Sequence, residues 1–343
     1  MNDESSLTRG WPVNRSVNRA AELGFVATEG SVAAAHAEPI ALHRKLTAEQ
    51  SFVVIGLSCL RHFTRNEPGV RAGNVGAVHQ MRVGLRRLRA ALSLFEGILG
   101  QHEVAGLKRE LAWLTEQLGP ARDYDVVLAA LRRPERGSLA ALDGRAELEA
   151  ELTRRRAEAV IAAGAAASSE RARALVIATA AWLVSRGTSC EERRRACGDQ
   201  RAERFAREVL ARRTKRVLKR VDDLARLDAT GRHQLRIQTK KLRYGAEFFA
   251  TSFPEATREQ KRFVRVLERL QRSLGKLSDV TVHQRLAGEF NGDTEAGSTA
   301  GPAARLAMTA LAAQKSDQVD ALVVAAQKTG ERLARTPGFW KTR

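Results

Sequence analysis

One stretch of this chain occurs twice, and its period commits the protein to helices. Val78-His79-Gln80-Met81-Arg82-Val83-Gly84-Leu85-Arg86-Arg87-Leu88-Arg89 returns as Arg232-His233-Gln234-Leu235-Arg236-Ile237-Gln238-Thr239-Lys240-Lys241-Leu242-Arg243. The shared pattern, His-Gln-(Met/Leu)-Arg-(Val/Ile)-x-x-(Arg/Lys)-(Arg/Lys)-Leu-Arg, holds one histidine and four cations at the same spacing in both copies. With His79 as zero and about 100° per residue, Arg82, Arg86 and Arg89 fall between about 280° and 340°, in line with the histidine. Met81, Leu85, Leu88, Leu92 and Phe95 fall between about 160° and 240°. Each copy therefore carries an apolar stripe beside a cationic one. His233, Arg236, Lys240 and Arg243 repeat the cationic stripe, and Leu235, Leu242, Ala246 and Phe249 the apolar one. Arg87 and Lys241 point elsewhere, at about 80°.

A solvated helix face usually mixes Glu with Lys to gain i,i+4 pairs. From His79 to Leu94 there is no Asp or Glu. Like charges this close repel, and tolerating them twice points to an anionic partner. The whole chain agrees: 58 Lys and Arg stand against 39 Asp and Glu, a formal charge of +19. A polyanion is the natural partner class. Aromatic residues are only 5%, so a surface that reads bases by stacking is poorly supplied. Cys59, Cys190 and Cys197 have no CxxC spacing, which argues for a reducing compartment and against a disulfide frame or a zinc site. No apolar run long enough to span a bilayer is present, and the N-terminus lacks the pattern of a signal peptide, so a cytoplasmic location is expected. No phosphate-binding loop, zinc-protease motif or nucleophile elbow is found. No catalytic residue, metal ligand or cofactor is expected.

At 343 residues with 43% hydrophobic content, the chain can bury a core in one large or two medium domains. Residues 1 to 40 read as a poorly ordered leader. Helices are expected over about 46–66, entered through Thr47-Ala48-Glu49-Gln50, then about 75–99, 103–118, 138–164 and 168–186. The second half repeats the order over about 200–225, 229–252, 255–274 and 302–334. Leu118-Gly119-Pro120-Ala121-Arg122-Asp123 and Leu274-Gly275-Lys276-Leu277-Ser278-Asp279 form a second repeated landmark, in which each Asp reads as the N-cap of a new helix. The fold expected is all-α, two four-helix bundles of long antiparallel helices related by an internal pseudo-twofold, with bundles at 41–190 and 191–335 and a tail at 336–343.

The duplicated motif and the Leu-Gly landmark resemble the CHAD domain, the conserved histidine α-helical domain, over roughly residues 40 to 335. That resemblance implies the all-helical double bundle, a basic central surface, binding of inorganic polyphosphate and association with polyphosphate granules. The segment Arg19-Ala20-Ala21-Glu22-Leu23-Gly24-Phe25 resembles the tail of a CYTH domain, but the body of that enzyme is absent. For a phosphate polymer, Arg supplies forked donors and Lys a compact charge. Arg82, Arg86, Arg89, Arg236, Lys240 and Arg243 are the expected direct contacts, with His79 and His233 orienting or adding to them. Arg212, Lys215, Arg216 and Lys219 share one face and could extend the track, as could Arg61 and Arg65; Lys108 and Arg122 rank third. Arg87 and Lys241, off the stripe, remain secondary candidates. Backbone binding of nucleic acid is the alternative reading, and a metal-dependent phosphohydrolase a distant third.

Overall fold

A computed structural model describes residues 33–132, 143–188, 200–292 and 300–341, and among these it contains helices and no strand. In chain order the α-helices are α1 (Ala48–Thr64), α2 (Glu67–Arg71), α3 (Val75–Leu94), α4 (Gln101–Gln117), α5 (Gly119–Leu131), α6 (Arg145–Ala167), α7 (Glu170–Thr188), α8 (Ala202–Asp222), α9 (Ala229–Phe248), α10 (Thr257–Gly292), α11 (Pro302–Ser316) and α12 (Val319–Ala334). The expected entry to α1 is present as a capping box: Gln50 N–H donates to Thr47 Oγ1 at 3.2 Å, and Thr47 N–H donates to Gln50 Oε1 at 3.0 Å.

The motif helices α3 and α9 are both 20 residues long. Both start on an Asx cap. Asn74 Oδ1 accepts from Ala77 N–H at 3.1 Å, and Asp228 Oδ1 from Gly231 N–H at 2.7 Å. Their apolar stripes are buried as the period requires: Met81, Leu85, Leu88, Leu92 and Phe95 in α3, and Leu235, Leu242, Ala246 and Phe249 in α9, are all fully inaccessible. Complete burial of one large apolar side chain contributes about 1.5–3 kcal/mol, so these stripes decide which way each helix faces. Thr239 takes the place in α9 that Leu85 holds in α3, its hydroxyl donating to Leu235 O at 2.9 Å.

The described chain forms two compact units that interleave along the sequence. Residues up to Leu118 and Val160–Ala206 make the first, and Gly119–Ala159 with Arg207–Arg343 the second. In the first unit α3 packs on α1, with α2, α4 and α7 around the pair. Phe52 meets Phe95 at 5.2 Å and Trp182 at 5.6 Å between ring centroids. Gly84 sits where α3 crosses α1 so closely that a Cβ there would lie 2.9 Å from both Cα and N of Phe63. In the second unit α10 is the central element, contacting α9, α11, α12 and α5.

The units depart from the expected 41–190 and 191–335 bundles. The reason is α5, whose Val127, Leu128 and Leu131 join Leu148 and Leu152 of α6 in one core with Phe290 of α10 and Met308 and Leu311 of α11. Apolar burial, not chain order, assigns this segment. Other boundaries move too. The 255–274 helix and its successor are one helix, the 36-residue α10, because Leu267, Leu270, Leu274, Leu277 and Val280 carry one buried register straight past Gly275. A mid-helix Gly costs about 1 kcal/mol, less than that register contributes. Asp279 and Asp123 are therefore interior helix residues, not N-caps. The expected final helix divides into α11 and α12 at Asp317 and Gln318. The expected tail is packed over its described residues, 336–341, since Phe339 and Trp340 lie against Phe263 at 6.0 and 5.0 Å. Residues 1–32, with the CYTH-like segment, and Cys190 and Cys197 lie outside the described residues. The end of the expected leader is docked: Asn66 Nδ2 donates to Ala35 O, Ala35 N–H to Asn66 Oδ1, both at 2.9 Å, and Ile40 and Leu42 are buried.

Candidate functional site

Each unit holds one motif helix, and each motif helix builds its own cationic surface. On α3, His79, Arg82 and Arg86 are half-buried and Arg89 is exposed. The helix has no carboxylate along its length. Arg86 Nε is buried without a hydrogen-bond partner. Arg87 departs from them, as its angle requires. It is 8% exposed and lies in the core beside Cys59 and His62, where a long polymer cannot reach it. Burial pushes the Cys59 thiol up to about 11 against the opposing pull of Arg87. His62 is held down at about 4, by burial first and the Arg87 charge second. Its Nε2 lies 3.2 Å from Gln80 Oε1 of the motif.

On α9, His233 is exposed and Arg236 and Lys240 are half-buried. The His233 pKa is lowered by desolvation against the neighbouring packing and by the Arg236 and Lys240 charges, which favours the neutral ring until an anion offsets those charges. Asp279 of α10 faces the same group. Burial raises its pKa, while Arg236, His283, Arg122 and Lys240 pull it down. His283, buried next to it, donates from Nδ1–H to Asp279 O at 2.6 Å. Beside the histidine end of α9, a cleft of ≈ 220 Å³ is lined by Arg232, His233, Ser278, Thr281 and Gln284 above an apolar floor. Arg232 Nε is buried there without a hydrogen-bond partner.

The family is decided by likeness over most of the chain: residues 55–288 match the CHAD domain. The chain belongs to the CHAD domain family. The crystal structure of the CHAD domain from the plant Ricinus communis is similar at 30% identity and a TM-score of 0.69, covering 86% of this chain and 96% of that one. PptA from Streptomyces chartreusis shares the fold, with a TM-score of 0.57 at 20% identity over 83% of this chain and 99% of its own. No curated protein sequence matches.

Several expected site residues of this CHAD domain are held by local partners. Arg243 donates to Gln271 Oε1 at 2.8 Å, pairs with Glu247 and covers the Tyr244 ring at 4.7 Å, so its fork is engaged in packing α9 on α10. Arg65 pairs with Glu38, and Lys108 with Glu96 at 2.8 Å. Arg122 stands 3.9 Å from Asp125 but also faces Asp279, which brings the first Leu-Gly landmark to the second motif. Arg61, Arg212, Lys215, Arg216 and Lys219 are exposed, and Lys241 is half-buried. Asp279, His283 and Arg232 were not among the expected site residues. The signal for Asp279 is the recurrence of the Leu-Gly-x-x-x-Asp element at almost the same distance from each motif. Among the described residues, no three His, Cys, Asp or Glu side chains group as metal ligands, and no helix is long and apolar enough to cross a membrane.

Proposed function

We propose that this CHAD domain binds inorganic polyphosphate through the cationic stripes of α3 and α9, without catalysis, as a cytoplasmic scaffold associated with polyphosphate granules. The observation that carries this reading is α3: a 20-residue helix with four arginines and no carboxylate, on which Arg86 keeps a buried guanidinium nitrogen without a hydrogen-bond partner. A buried donor left unsatisfied costs about 1–3 kcal/mol, and a phosphate oxygen is the acceptor that relieves it. Family membership supports polyphosphate over other polyanions. The Arg82, Arg86 and Arg89 set supplies forked donors to successive phosphates, and on α9 Arg236 supplies a fork and Lys240 a compact charge. His233, neutral in the free protein, gains its proton as phosphate arrives. Asp279 holds Arg236 and Lys240 in place until phosphate replaces it as their counter-charge.

Titration of labelled long-chain polyphosphate at several salt concentrations tests this. Each phosphate contact on a flexible polyanion contributes about 0.7 to the log–log salt slope, so Arg82→Ala with Arg236→Ala should flatten it by about 1.4 with helicity intact. An unchanged affinity and slope would refute the stripes as the site. Orthophosphate release in the presence of divalent metal would refute the non-catalytic reading.

A further inference from the structure

The first half of α10 carries a third cationic stripe that belongs to neither motif. Arg258, Lys261, Arg262, Arg265, Arg269, Arg272 and Lys276 are all exposed, at i, i+3, i+4, i+7, i+11, i+14 and i+18. At about 100° per residue they occupy an arc of about 100°, and at 1.5 Å per residue they extend over about 27 Å. None of their side chains makes an ion pair or hydrogen bond to a described residue. The opposite face of the same helix, through Phe263, Leu267, Leu270 and Leu274, is buried in the second unit, so packing holds the row straight. Glu259 and Glu268 flank the arc without entering it. Seven uncompensated cations repel one another, and the helix keeps them because its other face is anchored.

We infer that this face docks the phosphate backbone of duplex nucleic acid. Its charge calls for a dense polyanion, and its shape selects which. The stripe is a convex ridge, so a single flexible phosphate chain laid on it would be gripped from one side and lose its conformational freedom for few contacts. A duplex is already rigid, carries one charge per about 1.7 Å of axis, and offers a groove about 12 Å wide between two phosphate rows. The cations also form two rows: Lys261, Arg265 and Arg272 on one side, Arg258, Arg262, Arg269 and Lys276 on the other. The ridge holds no aromatic or large apolar side chain, which removes base stacking and membrane insertion as its means of attachment. Binding is therefore blind to sequence and steep in salt. It is independent of the polyphosphate reading, because no residue of the motif helices takes part.

The test is fluorescence anisotropy with a labelled 24-base-pair duplex of random sequence and the full chain, beside parallel titrations with long-chain polyphosphate and with phosphatidylserine vesicles. At about 0.9 per contact, five contacts give a log–log salt slope of about −4.5 for the duplex. Arg265→Glu, Arg269→Glu and Arg272→Glu together should weaken duplex binding at least 100-fold and polyphosphate binding less than twofold. The neutral Gln triple should give an intermediate loss with unchanged circular dichroism, which separates charge from folding. Arg236→Ala with Lys240→Ala should leave duplex binding intact while weakening polyphosphate. Duplex affinity unchanged in the Glu triple overturns the inference, as does equal loss of both polymers, or a loss confined to polyphosphate or to vesicles.

Discussion

Gly84 is the point at which a single added methyl group should separate α3 from α1. A Cβ at this position would lie 2.9 Å from Phe63 Cα, 2.9 Å from Phe63 N and 3.1 Å from Phe63 Cβ, whereas carbon atoms pack at about 3.5–4.0 Å. The colliding atoms are helix backbone and cannot swing aside. Gly84→Ala must therefore push the helices apart by about 0.6 Å or more, loosening Phe52, Ile55, Met81 and Leu88, all fully buried. Overpacking costs about 1–3 kcal/mol, and rigid backbone places this site at the upper end. Replacing Gly by Ala inside a helix returns about 1 kcal/mol. The net expectation is a destabilisation of about 2 kcal/mol. Gly106 in α4 is the control from the same unit: its nearest neighbour is Arg109 Nη2 at 3.9 Å, so Gly106→Ala should stabilise by about 0.5–1 kcal/mol. Urea unfolding followed by circular dichroism reads both as midpoint shifts of opposite sign at constant m. A Gly84→Ala protein as stable as the parent would refute the close crossing, and with it the account of how α3 and its arginines are positioned.

His62, 4% exposed, has a folded pKa of about 4 against an ordinary 6.5. The stability contributed by its neutral ring is complete above pH 6.5 and lost as pH falls through about 4, a total of about 3 kcal/mol. His62→Gln should narrow its stability gap to the parent across that window in urea titrations at fixed pH; parallel curves would exclude the buried neutral ring. Polyphosphate affinity should rise as pH falls from neutral, by at most tenfold per unit for one linked proton, because bound phosphate draws His233, whose pKa is lowered in the free protein, back toward protonation. His233→Gln should flatten that dependence, and an equal slope in both proteins would remove His233 from the site. Thr47→Ala, which breaks the capping box of α1, should cost about 1 kcal/mol in the same urea assay; no loss would mean that α1 starts elsewhere.

The motif helices were legible because one period governs both of their faces: the residues spaced for the core are inaccessible, and those spaced for a ligand are not. The same arithmetic separates Arg87 from the stripe, in keeping with its burial. What the period could not show lies beyond the single helix. Gly275 looked like a stop because local propensity disfavours it, yet α10 continues through it on the strength of side chains packed along its whole length. Asp279 and Arg122, 157 positions apart in the sequence, meet through packing that no local pattern encodes. Arg243 fits the stripe by angle, but Glu247 and Gln271 claim its donors. The exposed ridge of α10 lies almost wholly inside the expected 255–274 helix, with only Lys276 past Gly275; what the sequence did not give is the buried opposite face that holds it in place.

The interleaving of the two units bears on how the chain is made. Val127, Leu128 and Leu131 leave the ribosome with α5, but the Phe290 and Met308 they pack against follow about 160–180 residues later, some 8–36 s at about 5–20 residues per second. For that interval α5 has only Leu148 and Leu152 of α6 from its core to pack against, while α1, α3 and α4 are already available to one another. A fragment cut at the repeat boundary, near residue 190, would stay in that state permanently. A cut at the boundary the repeat suggests therefore divides one hydrophobic core, parting α5 and the start of α6 from Phe290, Met308 and Leu311.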